Sequence, residues 1–206
     1  KIKSNQIRVI DTKENYSFEG DISNQESEID IDNFSNFLNV NFEGVFNKNL
    51  IISSNNKFSF KLNKKMKFSD INFKSKISFD KVQYSNNIFK RFFPEYKEDI
   101  KVENNSITVD FNNGDYQVNG KAKININANI DDINYSLKKV KKEIFYKINY
   151  DLINSPVNFK ILNYTKNNGD KSSLEIKGKY SILKTINLEK IKFTQDKNYI
   201  DIQNIK

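Results

Sequence analysis

The sequence predicts a mainly β protein: a long antiparallel meander sheet folded into an open groove, with at most one or two short helices. Three observations lead to this prediction. Apolar residues recur at every second position through most of the chain, as they do in strands with one wet and one dry face. Turn signals separate these segments at intervals of roughly ten to fifteen residues. Only 37% of the 206 residues are hydrophobic and 29% are charged, which favours sheets covered on one face.

The alternation is visible from the first half of the chain onward. Phe58, Phe60 and Leu62 alternate with the polar Ser59 and Lys61. The same period of two predicts further strands around residues 38–46, 73–79, 107–111, 144–152, 157–161, 174–182, 186–193 and 200–202.

Two turns are marked by Asn-Asn-Gly-Asp, at residues 112–115 and 167–170, a pattern typical of hairpins. The longest alternation follows the first of them, from Tyr116 to Ile130. As one strand it would span roughly 50 Å at about 3.3 Å per residue. Glycines and alanines recur on its apolar side, where they leave room or permit bending.

Residues 87–98 depart from this period. Ile88, Phe89, Phe92 and Phe93 stand at helix-like spacing close to Pro94. We expect a short helix or hydrophobic plug in this segment; the alternative is that its aromatic residues cap one end of the sheet.

The charge pattern argues against nucleic acid as a partner. The chain has 34 basic and 26 acidic residues, a net charge of +8, but Arg8 and Arg91 are its only arginines. Base readout and stacking on bases depend largely on arginine, and the lysines are spread along the whole chain. A solvated lysine-rich face, weakly attracted to anionic lipid, is the preferred interpretation.

No catalytic or metal-binding constellation is found. The chain has no Cys and no His, which excludes thiol catalysis, imidazole bases and sites built on those ligands. The adjacent pair Asp131-Asp132 would point to opposite faces of a strand unless it lies in a turn. Asp30 and Asp32 lack the glycine and distal glutamate of a calcium loop. We therefore expect no enzyme activity, no cofactor and no metal.

No apolar run approaches the length of a membrane-spanning helix. The chain begins at Lys1 without Met and ends at Lys206 inside a strand-like pattern. We interpret residues 1–206 as a single β-groove segment of a longer protein, so that any anchor would lie outside it.

From about Phe92 onward the sequence resembles the AsmA-like superfamily of Gram-negative envelope proteins, which includes TamB and YhdP. The likeness covers a little over half of the chain. It is a succession of strands rather than an invariant motif, carried by residues 93–96, 100–102, 116–124, 133–135, 144–152, 159–164, 174–180 and 200–205.

This resemblance implies a trough-shaped sheet in the periplasm, anchored in the inner membrane by a segment not present here. It also implies that phospholipid acyl chains are the ligand and that lipids move between the inner and outer membranes; protein partners in the envelope are not indicated. The residues expected to line the groove are apolar: Val118, Ile124, Ile126, Ile130, Tyr146, Ile148, Tyr150, Phe159, Ile161, Ile176, Tyr180 and Phe193. The main alternative is a structural or adhesive β-domain whose apolar face forms a sealed core without lipid.

Overall fold

The computed structural model describes residues 2–32, 48–85, 100–126, 128–159, 163–181 and 186–205. Within these ranges the backbone is almost entirely strand, and only Ile31 and Asp32 are helical. The segment predicted as a short helix or plug, residues 87–98, and the strand predicted around residues 38–46 lie outside the described residues. The strands are β1 (Ile2–Asp11), β2 (Asn15–Asp30), β3 (Asn49–Asn63), β4 (Phe68–Tyr84), β5 (Ile100–Asn112), β6 (Asp115–Ile126), β7 (Asn129–Val140), β8 (Glu143–Leu152), β9 (Val157–Phe159), β10 (Tyr164–Lys166), β11 (Ser172–Ser181), β12 (Ile186–Gln195) and β13 (Asn198–Ile205).

Eleven strands form one antiparallel sheet in the order β1-β2-β3-β4-β5-β6-β7-β8-β11-β12-β13, and β9 pairs with β10 in a separate hairpin. Every neighbour in the large sheet is also the next strand along the chain, apart from the step from β8 to β11 across that hairpin. The strand order starts at β1 and stops at β13, so the sheet is open at both edges. The predicted mainly β fold, an open antiparallel meander, is therefore confirmed.

The register aligns apolar side chains from strand to strand. Directly paired residues of antiparallel strands lie on the same face of a sheet. Successive pairings therefore place one residue from each of eight strands of the large sheet, β4 to β8 and β11 to β13, in a line. We call this line the central row: Ile77, Ile107, Gly120, Tyr135, Ile148, Ile176, Ile191 and Ile202. We call the face that carries this row the inner face and the opposite one the outer face.

The long alternation from Tyr116 to Ile130 is not one strand, and that prediction was wrong. β6 ends at Ile126, β7 begins at Asn129, and Ala128 has a φ of 68°, in the left-handed region that reverses a chain tightly. The reversal also changes the phase of the pattern. Ile130 pairs with Asn125 and thus lies on the outer face, whereas its neighbour Asp131 pairs with Ile124 on the inner face.

The main hydrophobic cluster lies at one end of the inner face. The chain between β8 and β11 folds over that end and forms a cover that we call the flap, residues 153–159 and 163–171. Val157 of the flap is buried together with Tyr150, Leu152 and Phe193 of the sheet. The residues packed around this cluster are Ile124, Ile133, Phe159, Tyr164, Leu174 and Ile200.

Candidate functional site

The inner face unites most of the residues that the sequence placed in a groove. Nine of the twelve alternate in phase along β6, β8, β11 and β12 and share this face through the register: Val118, Ile124, Ile126, Tyr146, Ile148, Tyr150, Ile176, Tyr180 and Phe193. The other three do not line the sheet in this way. Ile130 lies on the outer face and is 40% exposed, Phe159 belongs to the flap, and Ile161 lies outside the described residues.

The flap divides this face into two parts. At the covered end Tyr150 is 6% exposed and Phe193 is 3% exposed. Ile148, two residues from Tyr150 on β8, and its partner Ile176 on β11 are only half-buried. We call the part from the central row to the rows of Tyr146 and Tyr180 the open stretch. An apolar face without a complete cover is the arrangement that a ligand with an alkyl chain requires.

Aromatic rings lie flat on the open stretch because glycines stand opposite them. Gly120 pairs with Tyr135 and Gly178 pairs with Tyr146, and each ring occupies the space where the glycine would otherwise carry a Cβ. The room that the sequence suggested at these glycines is thus filled by a tyrosine from the neighbouring strand. Burial raises the pKa of both tyrosines, so the two hydroxyls stay neutral well above pH 7.

The inner face extends further than the sequence-based list of residues. In β3 to β5 it carries Phe58, Phe73 and Phe111, which form a second line of paired residues with Tyr116 of β6. The alternation at residues 58–62 and 73–79 was visible in the sequence. These residues were not included because the family resemblance begins only near Phe92, and the register is what joins them to the later strands.

A buried polar cluster fixes the flap to the sheet. Asp131 is 3% exposed. Its carboxylate accepts hydrogen bonds from the backbone N–H groups of Ile153, Asn154 and Ser155 at 2.7–2.9 Å. Lys166 is 0% exposed, and its ammonium group donates to the carbonyls of Ile153, Ser155 and Asn167 at 2.9–3.0 Å. Three donors are matched by three acceptors, so the buried lysine is fully hydrogen-bonded.

The charges of this cluster also affect its ionisable neighbours. Burial lowers the pKa of Lys166, while the negative charges of Asp131 and Asp170 act in the opposite direction. Burial raises the pKa of Tyr150 far above its ordinary value, and the charge of Asp131 adds to that increase. Asp131 is thus a structural anchor of the flap. It does not converge with Asp132, which points to the outer face and lies 3.5 Å from the Lys123 ammonium.

The outer face is polar and charged. On β8, β11 and β12 the ammonium groups of Lys147, Lys177 and Lys190 surround the carboxylate of Glu175 at 3.1–3.3 Å. Partial burial raises the pKa of Glu175, but the hydrogen bonds from the three lysines outweigh it and bring the pKa to about 2. An open depression of about 430 Å³ at β1–β4 is also lined mostly by outer-face residues, among them Glu19, Asp21, Lys57, Ser59, Asn72 and Lys74.

The described part of the chain contains neither a cluster of metal ligands nor a helix long enough to span a bilayer. No group of three or more Asp and Glu side chains there could hold a metal ion. Asp30, one of the two aspartates considered for calcium, instead accepts the backbone N–H of Asp32 at 2.8 Å. No helix among the described residues has the length and hydropathy needed to cross a bilayer.

Comparison of this chain with family models, with characterised proteins and with solved structures finds no match.

Proposed function

We propose that this chain is a segment of an AsmA-like envelope protein that holds or conducts phospholipids along its inner face. In this proposal the full-length protein is anchored in the inner membrane, spans the periplasm and passes lipid between the inner and outer membranes. The chain itself carries out no chemical reaction and needs no cofactor. Its ligand is the acyl chain of a phospholipid.

The observation that supports this proposal best is the continuity of the central row. Its apolar side chains lie on consecutive strands about 4.8 Å apart, so they form a track perpendicular to the strands. An acyl chain of about 16 carbons exposed to water costs on the order of 12 kcal/mol, at about 0.8 kcal/mol per methylene. A carrier through an aqueous space therefore needs an unbroken apolar surface, and it needs no catalytic residues.

The exposure of the open stretch agrees with this role. Ile148, Ile176 and Tyr146 are half-buried, and Leu137, in the row of Tyr146, is 37% exposed. In a sealed β-domain the equivalent residues would be covered by a second layer. The polar headgroup of a lipid lying here would remain in solvent.

The competing function is a structural or adhesive β-domain, and the covered end favours it. The flap closes over Tyr150, Leu152 and Phe193 as a second layer does over an ordinary core. If the rest of the inner face were closed in the same way by another part of the protein, no space for lipid would remain. An enzyme would require converging carboxylates, and Asp131 and Asp132 point to opposite faces.

Site-specific photo-crosslinking tests the proposal. A photoreactive amino acid at Ile148 or Ile176 would face a lipid on the open stretch. The same amino acid at Lys147 or Lys177, the next position along each strand, faces the opposite side of the sheet and provides a matched control. We expect phospholipid to be captured from Gram-negative envelopes at Ile148 and Ile176 at least several times more often than at the two lysines.

Equal capture on the two faces would mean that lipid contact is non-specific. No capture at Ile148 and Ile176 would leave the sealed β-domain as the better description. Position 124 is a less informative site because Ile124 packs against the cluster beneath the flap.

A further inference from the structure

Polar side chains interrupt the apolar character of the inner face on β2, β3 and β4. There the register brings together four polar side chains, Asn24, Ser54, Asn56 and Ser75, which we call the polar island. Asn24 pairs directly with Ser54, and Asn56 pairs directly with Ser75. The rows that contain them continue into Ile77 and Val109 on the next strands. A polar group on an apolar face costs free energy unless it is hydrogen-bonded, so the island requires an explanation.

Hydrogen bonds within the island form a chain in which Ser75 donates to Asn56 and Asn56 donates to Ser54. The buried hydroxyl of Ser75 donates to Asn56 Oδ1 at 2.6 Å. The amide of Asn56 then donates to Ser54 Oγ at 2.9 Å and to the carbonyl of Ile22 at 3.3 Å. The Ser75 hydroxyl and the Asn56 amide have thus used their hydrogens. Ser54 accepts a hydrogen bond here, and its own hydroxyl hydrogen has no acceptor among the described residues.

Asn24, opposite Ser54, adds a second donor. Its amide donates to the carbonyl of Ile52 at 3.1 Å, and its Oδ1 accepts from Ser27 at 2.6 Å. These bonds stabilise the irregularity of the β2–β3 register that lies between Asn24 and Ser27 on β2. They use one of the two amide hydrogens, and the other has no acceptor in the described part of the chain. Ser54 and Asn24 are both half-buried rather than sealed, so a ligand can reach them.

We propose that Asn24 and Ser54 bind an acceptor oxygen at the polar end of a lipid whose chain lies along the central row. This proposal rests on the lipid-holding function above. Two donors with unused hydrogens suit the ester carbonyl or the phosphate oxygen of a glycerophospholipid, and they do not suit an ammonium group. Ile77 pairs with Ser54, so the central row begins directly beside the island. The distance from Ser54 on β3 along the central row to Tyr135 on β7 is four strand spacings, roughly 19 Å, enough for a long acyl chain.

Lipid binding by variants of the 206-residue chain tests this proposal. The probes are a phosphatidylcholine, a diacylglycerol and a hydrocarbon, each with the same pyrene label, titrated by fluorescence. The variants are Ser54→Ala and the double variant Asn24→Leu with Ser54→Val. The single variant keeps the bonds that Asn24 makes, so it stays informative if the double variant fails to fold. The matched control is Ser53→Ala, the next residue along β3, which faces the outer side.

We expect Ser54→Ala to weaken binding of the phosphatidylcholine by roughly threefold to tenfold, as for the loss of one hydrogen bond, with the hydrocarbon and Ser53→Ala unchanged. Weakened binding of the diacylglycerol as well would identify the ester carbonyl as the acceptor; an effect confined to the phosphatidylcholine would identify the phosphate.

Two outcomes would overturn the inference while leaving the proposed function intact. In the first, Ser54→Ala binds all three probes as the unaltered chain does; in the second, it weakens binding of all three equally. If the unaltered chain bound none of the probes, the lipid-holding function would fail first, and the island would then be only a structural feature of the irregular β2–β3 pairing.

Discussion

The covered end and the open stretch of the inner face are built on the same three strands, two residues apart. Tyr150 and Leu174 are paired residues of β8 and β11 and pack in the cluster beneath the flap. Ile148 and Ile176 are the next pair on the same face and are half-buried. The two pairs are similar in hydrophobicity and identical in strand context. Tyr150 is buried beneath the flap, whereas Ile148 on the same strand is only half-buried, so what lies above the sheet sets how deeply an apolar residue of this face is buried.

The flap makes this difference because its own polar groups are satisfied where it crosses the sheet. A loop laid over an apolar face carries backbone N–H and C=O groups that lose water. Asp131 takes three of the N–H groups and Lys166 takes three of the carbonyls. The covered end combines hydrophobic packing with a buried polar anchor, and the open stretch relies on the sheet alone.

Removing the Asp131 anchor of the covered end should cause the largest loss in the free energy of unfolding. In Asp131→Ala three backbone N–H groups of the flap, one of them buried and two part-buried, lose their acceptor, and the buried Lys166 loses a compensating negative charge. We expect a loss of about 3–5 kcal/mol in the free energy of unfolding, measured in urea. The control is Asp132→Ala. Asp132 is 62% exposed and paired only loosely with Lys123, so its loss should cost less than about 1 kcal/mol. Equal losses would show that Asp131 does not hold the flap.

A leucine truncation on each part of the inner face tests the comparison directly. Leu152 is 1% exposed beneath the flap, whereas Leu137 is 37% exposed in the row of Tyr146. We expect Leu152→Ala to lower the free energy of unfolding by about 2–4 kcal/mol because it leaves a cavity. Leu137→Ala should cost about 1 kcal/mol or less. A large cost at Leu137 would mean that the open stretch is covered in the folded protein, which would favour the sealed β-domain.

The smallest expected effect concerns the cluster of Glu175 and three lysines on the outer face, on the side of the sheet opposite the open stretch. Glu175 lies between Leu174 of the covered end and Ile176 of the open stretch, and its pKa is about 2 instead of the ordinary 4.5. A lowered carboxyl pKa stabilises the folded state above pH 4.5, and that contribution is lost as the pH falls toward 2. With allowance for solvent screening it amounts to on the order of 1 kcal/mol.

Urea unfolding between pH 7 and pH 2 measures this contribution. Glu175→Gln should lose less stability over that range than the unaltered chain, because the group that titrates has been removed. Glu143→Gln serves as the control: among the described residues Glu143 forms one ion pair, with Lys179, and its side chain is 47% exposed, so this variant should keep the acid-dependent loss. An unchanged pH dependence in Glu175→Gln would show that the three lysines do not stabilise the sheet through this carboxylate.

The sequence predicted the strands well because a period of two reflects only local geometry. Tyr146, Ile148 and Tyr150 alternate with polar residues and lie on one face, as expected. The same period was misleading near Ala128. A tight reversal there needs a left-handed φ but interrupts the alternation of residue types hardly at all, so the turn escaped notice and Ile130 was assigned to the wrong face.

The candidate site was predictable only in part. Nine of its residues were predicted from the alternation of apolar and polar residues along single strands. The polar island did not, because Asn24, Ser54 and Ser75 come from three strands and become neighbours only through the register. The role of Asp131 as the anchor of the flap was not predictable either, since the backbone N–H groups that donate to its carboxylate lie more than twenty positions later.

The amino-acid sequence by itself determined the mainly β fold, the antiparallel order and the separation of apolar from charged faces. These follow from the alternation of side chains and from turn residues, which act over a few positions of the chain. Only the tertiary structure decided which apolar residues are sealed and which are exposed, and where polar groups interrupt the track. Those outcomes depend on strand register and on the flap, which bring together residues far apart in sequence, and no local pattern encodes such contacts.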